Sequence, residues 1–116
     1  MAFQIVATTD EIPDHGCKLI PHHKYEIGLF HENGVYYAVL NYCPHAGAPI
    51  CQGEVEAPLA ASADGAYTVG KDRPVLRCPW HHWEFELKSG APVCDIKQKL
   101  KTFDVIVEGN NILIDI

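Results

Sequence analysis

The chain has 116 residues, 47% of them hydrophobic, enough for one domain to close one core and too few for a second. Its formal charge of −6, with acidic residues spread from Asp10 to Asp115, argues against nucleic acid or an anionic membrane surface as partner and suits a basic patch on another protein. A single domain over residues 1–116 is the expectation.

Taken from the N-terminus, MAFQIVATTDEIPDHG reaches acid and proline before any apolar run attains signal-peptide length. No later segment approaches the ~18 apolar residues that a bilayer span needs, so a cytoplasmic location without membrane association is expected. The first clear elements have period two. Tyr25, Ile27 and Leu29 alternate in YEIGLF, and Val35, Tyr37 and Val39 alternate in VYYAVL beyond the turn residues Asn33 and Gly34, which predicts a hairpin. The stretch from Gly53 to Arg73 is rich in Ala, Gly, Asp and Pro and reads as a long loop with one short hairpin around Tyr67.

WEFEL then gives a strand followed by the turn residues Lys88, Ser89 and Gly90. Near the end, Phe103, Val105 and Val107 alternate, GNN supplies a turn, and Ile112, Ile114 and Ile116 alternate again, predicting a second hairpin. Eight prolines and nine glycines leave little room for long helices. The fold class is therefore all-β, a compact sandwich or partly open barrel.

Five cysteines cannot pair completely, and a chain without an export signal meets a reducing compartment that disfavours structural disulfides. Metal chemistry is the better use for them. CPHAGAPIC places Cys43 and His45 one residue apart, and CPWHHWEF places Cys78 and His81 two apart, each pair starting on Cys-Pro. Thiolates and imidazoles at such spacing suit a transition metal. Cys2His2 could also close a tetrahedral zinc site, but zinc sites commonly pair Cys with Cys and His with His, whereas here each loop carries one of each. A two-iron cluster accounts for the mixture, with thiolates on one iron and imidazoles on the other.

These residues resemble the Rieske ferredoxin family, whose signature is a Cys-x-His loop and a later Cys-x-x-His loop in a small β domain. The resemblance covers nearly the whole chain and includes Gly47-Ala48-Pro49, the wording from Cys78 to Phe85, and Gly90 followed by Pro92, which looks like the family's cluster-covering proline loop. It implies a Rieske-like β-sandwich with a cluster-binding subdomain built from the two Cys/His loops. It also implies one 2Fe-2S cluster per chain, with Cys43 and Cys78 on the inner iron and His45 and His81 on the outer one. Three departures stand out. Between His45 and Cys78 lie 32 residues, more than is common in ferredoxins feeding aromatic-ring oxygenases, and His82 stands where the family commonly has glycine. Respiratory-chain members carry an extra, disulfide-bonded cysteine in each loop, where this chain has Ala48 and Trp80.

Outside the ligand set, Cys17, Cys51 and Cys94 read as core packing. His15, His22, His23, His31 and His82 read as surface residues, and Trp80 and Trp83 as cluster packing and core. The function implied is an electron carrier without substrate chemistry, passing single electrons from a flavin-dependent reductase to a terminal oxygenase or reductase. An oxygenase would need a further iron held by two His and a carboxylate, and the 35 residues after His81 contain one more His. The alternatives are a non-catalytic subunit of a larger oxidoreductase, resembling nitrite reductase small subunits, and a zinc-stabilised interaction module.

The resemblance also bears on potential. High-potential members carry a serine hydroxyl donor two residues past the second ligand histidine, where this chain has Trp83, and fewer donors to the cluster sulfurs lower the potential. A midpoint nearer ~−150 mV than ~+300 mV is expected. Potentiometric titration at neutral pH checks it, and a value above ~+100 mV would contradict it.

Overall fold

Asn33 and Gly34 adopt φ values of 53° and 82°, the left-handed geometry that matches a tight hairpin turn to the twist of its strands. In the computed structural model this turn joins β3 (Tyr25–Glu32) to β4 (Val35–Leu40), in a register from Glu32 opposite Val35 to Ile27 opposite Leu40. The structure describes residues 2–44, 47, 49–56, 59–61, 67–69, 74–79, 84–92 and 99–116, giving only the backbone of 56, 59–61 and 67–69.

β2 (Cys17–His22) pairs with the other edge of β3, and β10 (Thr102–Phe103) pairs with β4, so the central sheet runs β10-β4-β3-β2. A second sheet places β12 (Asn111–Asp115) between β1 (Phe3–Thr8) and β11 (Val105–Glu108). The third runs β5 (Val55–Glu56), β8 (Val75–Arg77), β9 (Glu84–Glu86). β6 (Leu59–Ala61) and β7 (Tyr67–Val69) form the short hairpin expected around Tyr67. Helical structure among the described residues is confined to two 3-10 turns, Thr9–Glu11 and Ile50–Gln52. The sheets are open, so the described residues form packed layers and no closed barrel.

Residues of the central sheet alternate between two cores. Ile27, Leu29 and Ala38 pack with Ala7, Ile12, Ile20, Ile112 and Ile114 against the terminal sheet. Phe30 and Val39 point the other way and pack with Ile50, Leu76, Phe85, Leu87 and Leu100. The two alternating sets expected for the first hairpin thus serve opposite faces: Ile27 and Leu29 one core, Tyr37 and Val39 the other. Each fully buried Ile or Leu contributes about 1.5–3 kcal/mol through removal of apolar surface from water.

The C-terminal hairpin forms around a two-residue turn in which Gly109 takes φ 59° and Glu108 pairs with Asn111. The expected continuous strand from Phe103 to Val107 is broken at Asp104. Phe103 pairs with Ala38 in the central sheet, whereas Val105 pairs with Ile114 in the terminal one. The chain changes sheets there, and Phe103 and Val105 still pack on the same core, which is why their alternation looks unbroken in sequence.

Gly28 sits in β3 where no side chain fits. A Cβ built there would stand 2.1 Å from the Cys51 sulfur and 3.1 Å from the Phe30 ring. Gly28→Ala is expected to destabilise the protein by about 1–3 kcal/mol through overpacking. Adding Cys51→Ala removes the clashing sulfur, so the double variant should be more stable than the sum of the two single losses predicts. Chemical denaturation of the four proteins checks this.

Candidate metal centre

The first Cys/His loop leaves β4 through Asn41 and Tyr42 and turns back at once. Gly47 takes φ 73°, open to glycine, and donates its N–H to the Cys43 carbonyl at 2.8 Å. The Tyr42 ring lies against Gly47, its hydroxyl 3.1 Å from where a Cβ would be. Beyond Pro49 the chain enters the 3-10 turn Ile50–Gln52, where the Asn41 side-chain oxygen accepts the Cys51 N–H at 2.9 Å. Ile50 is fully buried and anchors the far side of the loop in the core.

The second loop is reached through pairing with the exit of the first. Val55 lies opposite Leu76 and Glu56 opposite Val75, and Arg77 donates its N–H to the Glu54 carbonyl at 2.8 Å. Gly53 permits this approach, since a Cβ there would fall 1.7 Å from the Arg77 carbonyl oxygen. β8 delivers Cys78 directly after Arg77, and β9 takes the chain away with Glu84 opposite Arg77. An Arg77–Glu84 ion pair at 3.6 Å spans the base of that loop.

Gly90 (φ 76°) closes the next turn, donating to the Glu86 carbonyl at 2.7 Å and accepting from Leu100 at 2.9 Å, while Pro92 bridges to Phe85. The expected Gly90–Pro92 turn therefore lies beside β9.

Cys43 and Cys78, 35 positions apart, have no solvent exposure and share one core cluster with Ile50, Leu76 and Phe85. Both follow a strand end and precede a proline. Two soft donors in one apolar surround fit the thiolate half of an iron or zinc site, because a metal cation offsets the cost of burying their charge. His45 and His81 lie outside the described residues, as do Trp80, His82, Trp83 and Cys94. Among the described residues no three His, Cys, Asp or Glu side chains converge.

Two expectations are corrected. Cys17 is exposed at the start of β2, outside the core, whereas Cys51 is half-buried and packs against the core that holds Cys43 and Cys78, as expected. His22 and His31 are half-buried, not surface residues: His31 pairs Nδ1 with the Ile12 carbonyl at 2.9 Å and stacks on Tyr36 at 4.3 Å. His15 and His23 are exposed as expected. The sequence reading missed the supporting roles of Asn41, Tyr42 and Gly53. Asn directly before a turn is a signal for side-chain capping. Gly53 carries no such local signal, since its partner is 24 positions away.

No helix among the described residues is long and apolar enough to cross a membrane. The model of the Rieske [2Fe-2S] domain matches residues 2–104. The chain is 31% identical over 117 residues to the 3-phenylpropionate/cinnamic acid dioxygenase ferredoxin subunit of Photorhabdus laumondii, covering 100% of this chain and 96% of that protein. Its fold is similar to that of the ferredoxin of carbazole 1,9a-dioxygenase from Nocardioides aromaticivorans, with TM-score 0.72, 23% identity, and 98% and 97% of the two chains covered. It is similar also to a protein assigned as the small subunit of an NADPH nitrite reductase, with TM-score 0.76, 19% identity and 100% of each chain covered.

Burial of the two thiols together separates them from Cys17 and Cys51. Cys43→Ser or Cys78→Ser is expected to abolish stoichiometric iron binding and to loosen both loops, whereas Cys51→Ser keeps full iron content. Iron analysis of the purified variants checks it, and an iron-free Cys51→Ser protein would contradict it.

Proposed function

The chain belongs to the Rieske [2Fe-2S] domain family, and on that premise we propose that it is an electron-transfer protein whose cluster is held by Cys43, His45, Cys78 and His81. The observation that carries this reading is the joint burial of Cys43 and Cys78 at the mouths of two loops tied together by β5 and β8. When bound, the cluster supplies one-electron chemistry.

The chain's own residues do the rest. Cys43 and Cys78 supply the two thiolates from a buried apolar core, and His45 and His81 supply the imidazoles from the same two loops. Gly47 and Tyr42 hold the first loop in its turn, and Arg77 and Glu84 hold the second. Tyr42 is 46% exposed and meets Tyr25, 42% exposed, edge-on at 5.9 Å. This leaves an aromatic patch beside the first loop, the type of surface that protein interfaces favour. The electron donor is a flavin-dependent reductase and the acceptor a terminal oxygenase or reductase, approaching on this side. The relatives named as ferredoxin components of dioxygenases support that role.

A second reading is a non-catalytic subunit of a larger oxidoreductase. The full-length likeness in fold to a protein assigned as a nitrite reductase small subunit favours it. Copurification with a large partner distinguishes it from a free carrier.

The purified protein is expected to be red-brown when oxidised, with two irons and two acid-labile sulfides per chain, and to give a Rieske-type electron paramagnetic resonance signal on one-electron reduction. Stoichiometric zinc without labile sulfide would overturn the reading in favour of a zinc-stabilised module.

A further inference from the structure

Two cysteines outside the ligand set meet across the edge of the central sheet. Cys17 opens β2 opposite Phe30, and two residues on, Leu19 lies opposite Gly28. The side chains of Cys17 and Phe30 and the bare Cα of Gly28 therefore share one face of the sheet. Cys51 approaches that face from the 3-10 turn after the first Cys/His loop, its sulfur filling the space that a Gly28 side chain would occupy. Gly28 is diagonal to Cys17 across the β2–β3 pair, which puts the two sulfurs within reach of each other.

We propose that Cys17 and Cys51 form a reversible dithiol–disulfide pair that fastens the exit of the first cluster loop to β2. The Cys51 side chain beside it holds Cys17 below its ordinary thiol value, and the nearness of Cys17 together with burial pushes Cys51 up. The exposed, more acidic Cys17 is the attacking group, and the half-buried Cys51 resolves.

With hydrogen peroxide as oxidant, the Cys17 thiolate attacks one peroxide oxygen. The O–O bond breaks, the sulfur is oxidised to sulfenic acid, and the other oxygen leaves as hydroxide, which takes up the thiol proton as water. The Cys51 sulfur then attacks the Cys17 sulfur. An S–S bond forms, the S–O bond breaks, and the hydroxyl leaves with the Cys51 proton as a second water. Two thiols and one peroxide thus become one disulfide and two waters, and a dithiol reductant reverses the change.

The disulfide would act on the cluster loop through short connections. Cys51 is held to Asn41 by its backbone N–H and follows Ile50, which packs in the same core as Cys43. Linking it to β2 fastens the exit of the first Cys/His loop to the central sheet, so that iron held there should be lost to a chelator more slowly. The effect on the loop presupposes the cluster assignment above, while the cross-link does not.

The test uses the iron-loaded protein, prepared anaerobically and treated with one equivalent of hydrogen peroxide. Free thiols are then alkylated and peptides mapped by mass spectrometry. A Cys17–Cys51 linked peptide that dithiothreitol removes is the expected result. In Cys51→Ser, Cys17 should stop at a sulfenic acid that dimedone traps, and in Cys17→Ser, Cys51 should remain an alkylatable thiol. Oxidation directed to Cys94 or to the ligand cysteines while Cys17 and Cys51 stay reduced would overturn the proposal. In a second arm, an iron chelator is added to the cross-linked and reduced forms and the visible absorbance followed. Slower bleaching of the cross-linked form, with no difference between treated and untreated Cys17→Ser, is expected. Equal bleaching of the two wild-type forms would overturn the fastening of the loop even with the linked peptide found, and absence of iron and labile sulfide from the starting protein would instead refute the cluster reading.

Discussion

β3 has a core on each side, and the remainder of the molecule is arranged around that constraint. A strand with one wet face alternates apolar and polar residues, but Ile27, Gly28, Leu29 and Phe30 are consecutive and all buried. Ile27 and Leu29 hold the terminal sheet, and Phe30 belongs to the core that contains Cys43 and Cys78. A one-residue slip of β3 would exchange the two sets, so the tight Asn33-Gly34 turn, which fixes the register with β4, bears on both cores together. Gly28 is part of the same constraint: the approach of the 3-10 turn to the sheet leaves no space for a Cβ.

The layer that carries Cys43 and Cys78 depends on a contact between distant segments. Cys43 leaves one strand end and Cys78 another, and bringing them together means closing a long intervening loop at an entropic cost that grows only slowly with its length. The pairing of β5 with β8 offsets that cost with backbone hydrogen bonds and with the burial of Leu76, and the close approach of Gly53 to Arg77 makes room for it. Because the cost rises so slowly, the segment between them can carry an additional hairpin, β6–β7, without changing how the two cysteines meet. The positions of the two thiols are set by the strands next to them, which is how a small layer can hold both side chains rigidly.

Electrostatically the chain is one-sided in composition, with a net charge of −6, and the Lys18–Glu11 and Arg77–Glu84 ion pairs lie at or near the surface. Such pairs contribute little to stability, roughly 0–1 kcal/mol each. Their value here is positional, as with Arg77 and Glu84 at the base of the second loop. The stability of the fold rests on its two apolar cores, and the acidic surface remains free to steer a basic partner.

Local pattern made much of this legible. Period-two runs marked both hairpins, Asn33-Gly34 and Gly109 marked their turns, and the doubled Cys-Pro loops marked Cys43 and Cys78 as a pair, all because the physical cause lies within a few residues of the signal. Tertiary structure alone decided the rest. The run from Phe103 to Val107 looks like one strand, yet it divides between two sheets, since pairing partners are chosen by distant residues, Ala38 and Ile114. Cys17 and Cys51 look alike as spare hydrophobes, yet their meeting across Gly28 gives them different exposure and different acidity. His31 looks like a surface residue, but the Ile12 carbonyl and the Tyr36 ring half-bury it. The sequence by itself determined where residues able to bind a metal stand and the strand period, which depend on side-chain chemistry and backbone geometry at each position. Only the tertiary structure decided which faces are dry and which thiols stand beside one another, because burial and proximity are properties of residues brought together from far apart in the chain.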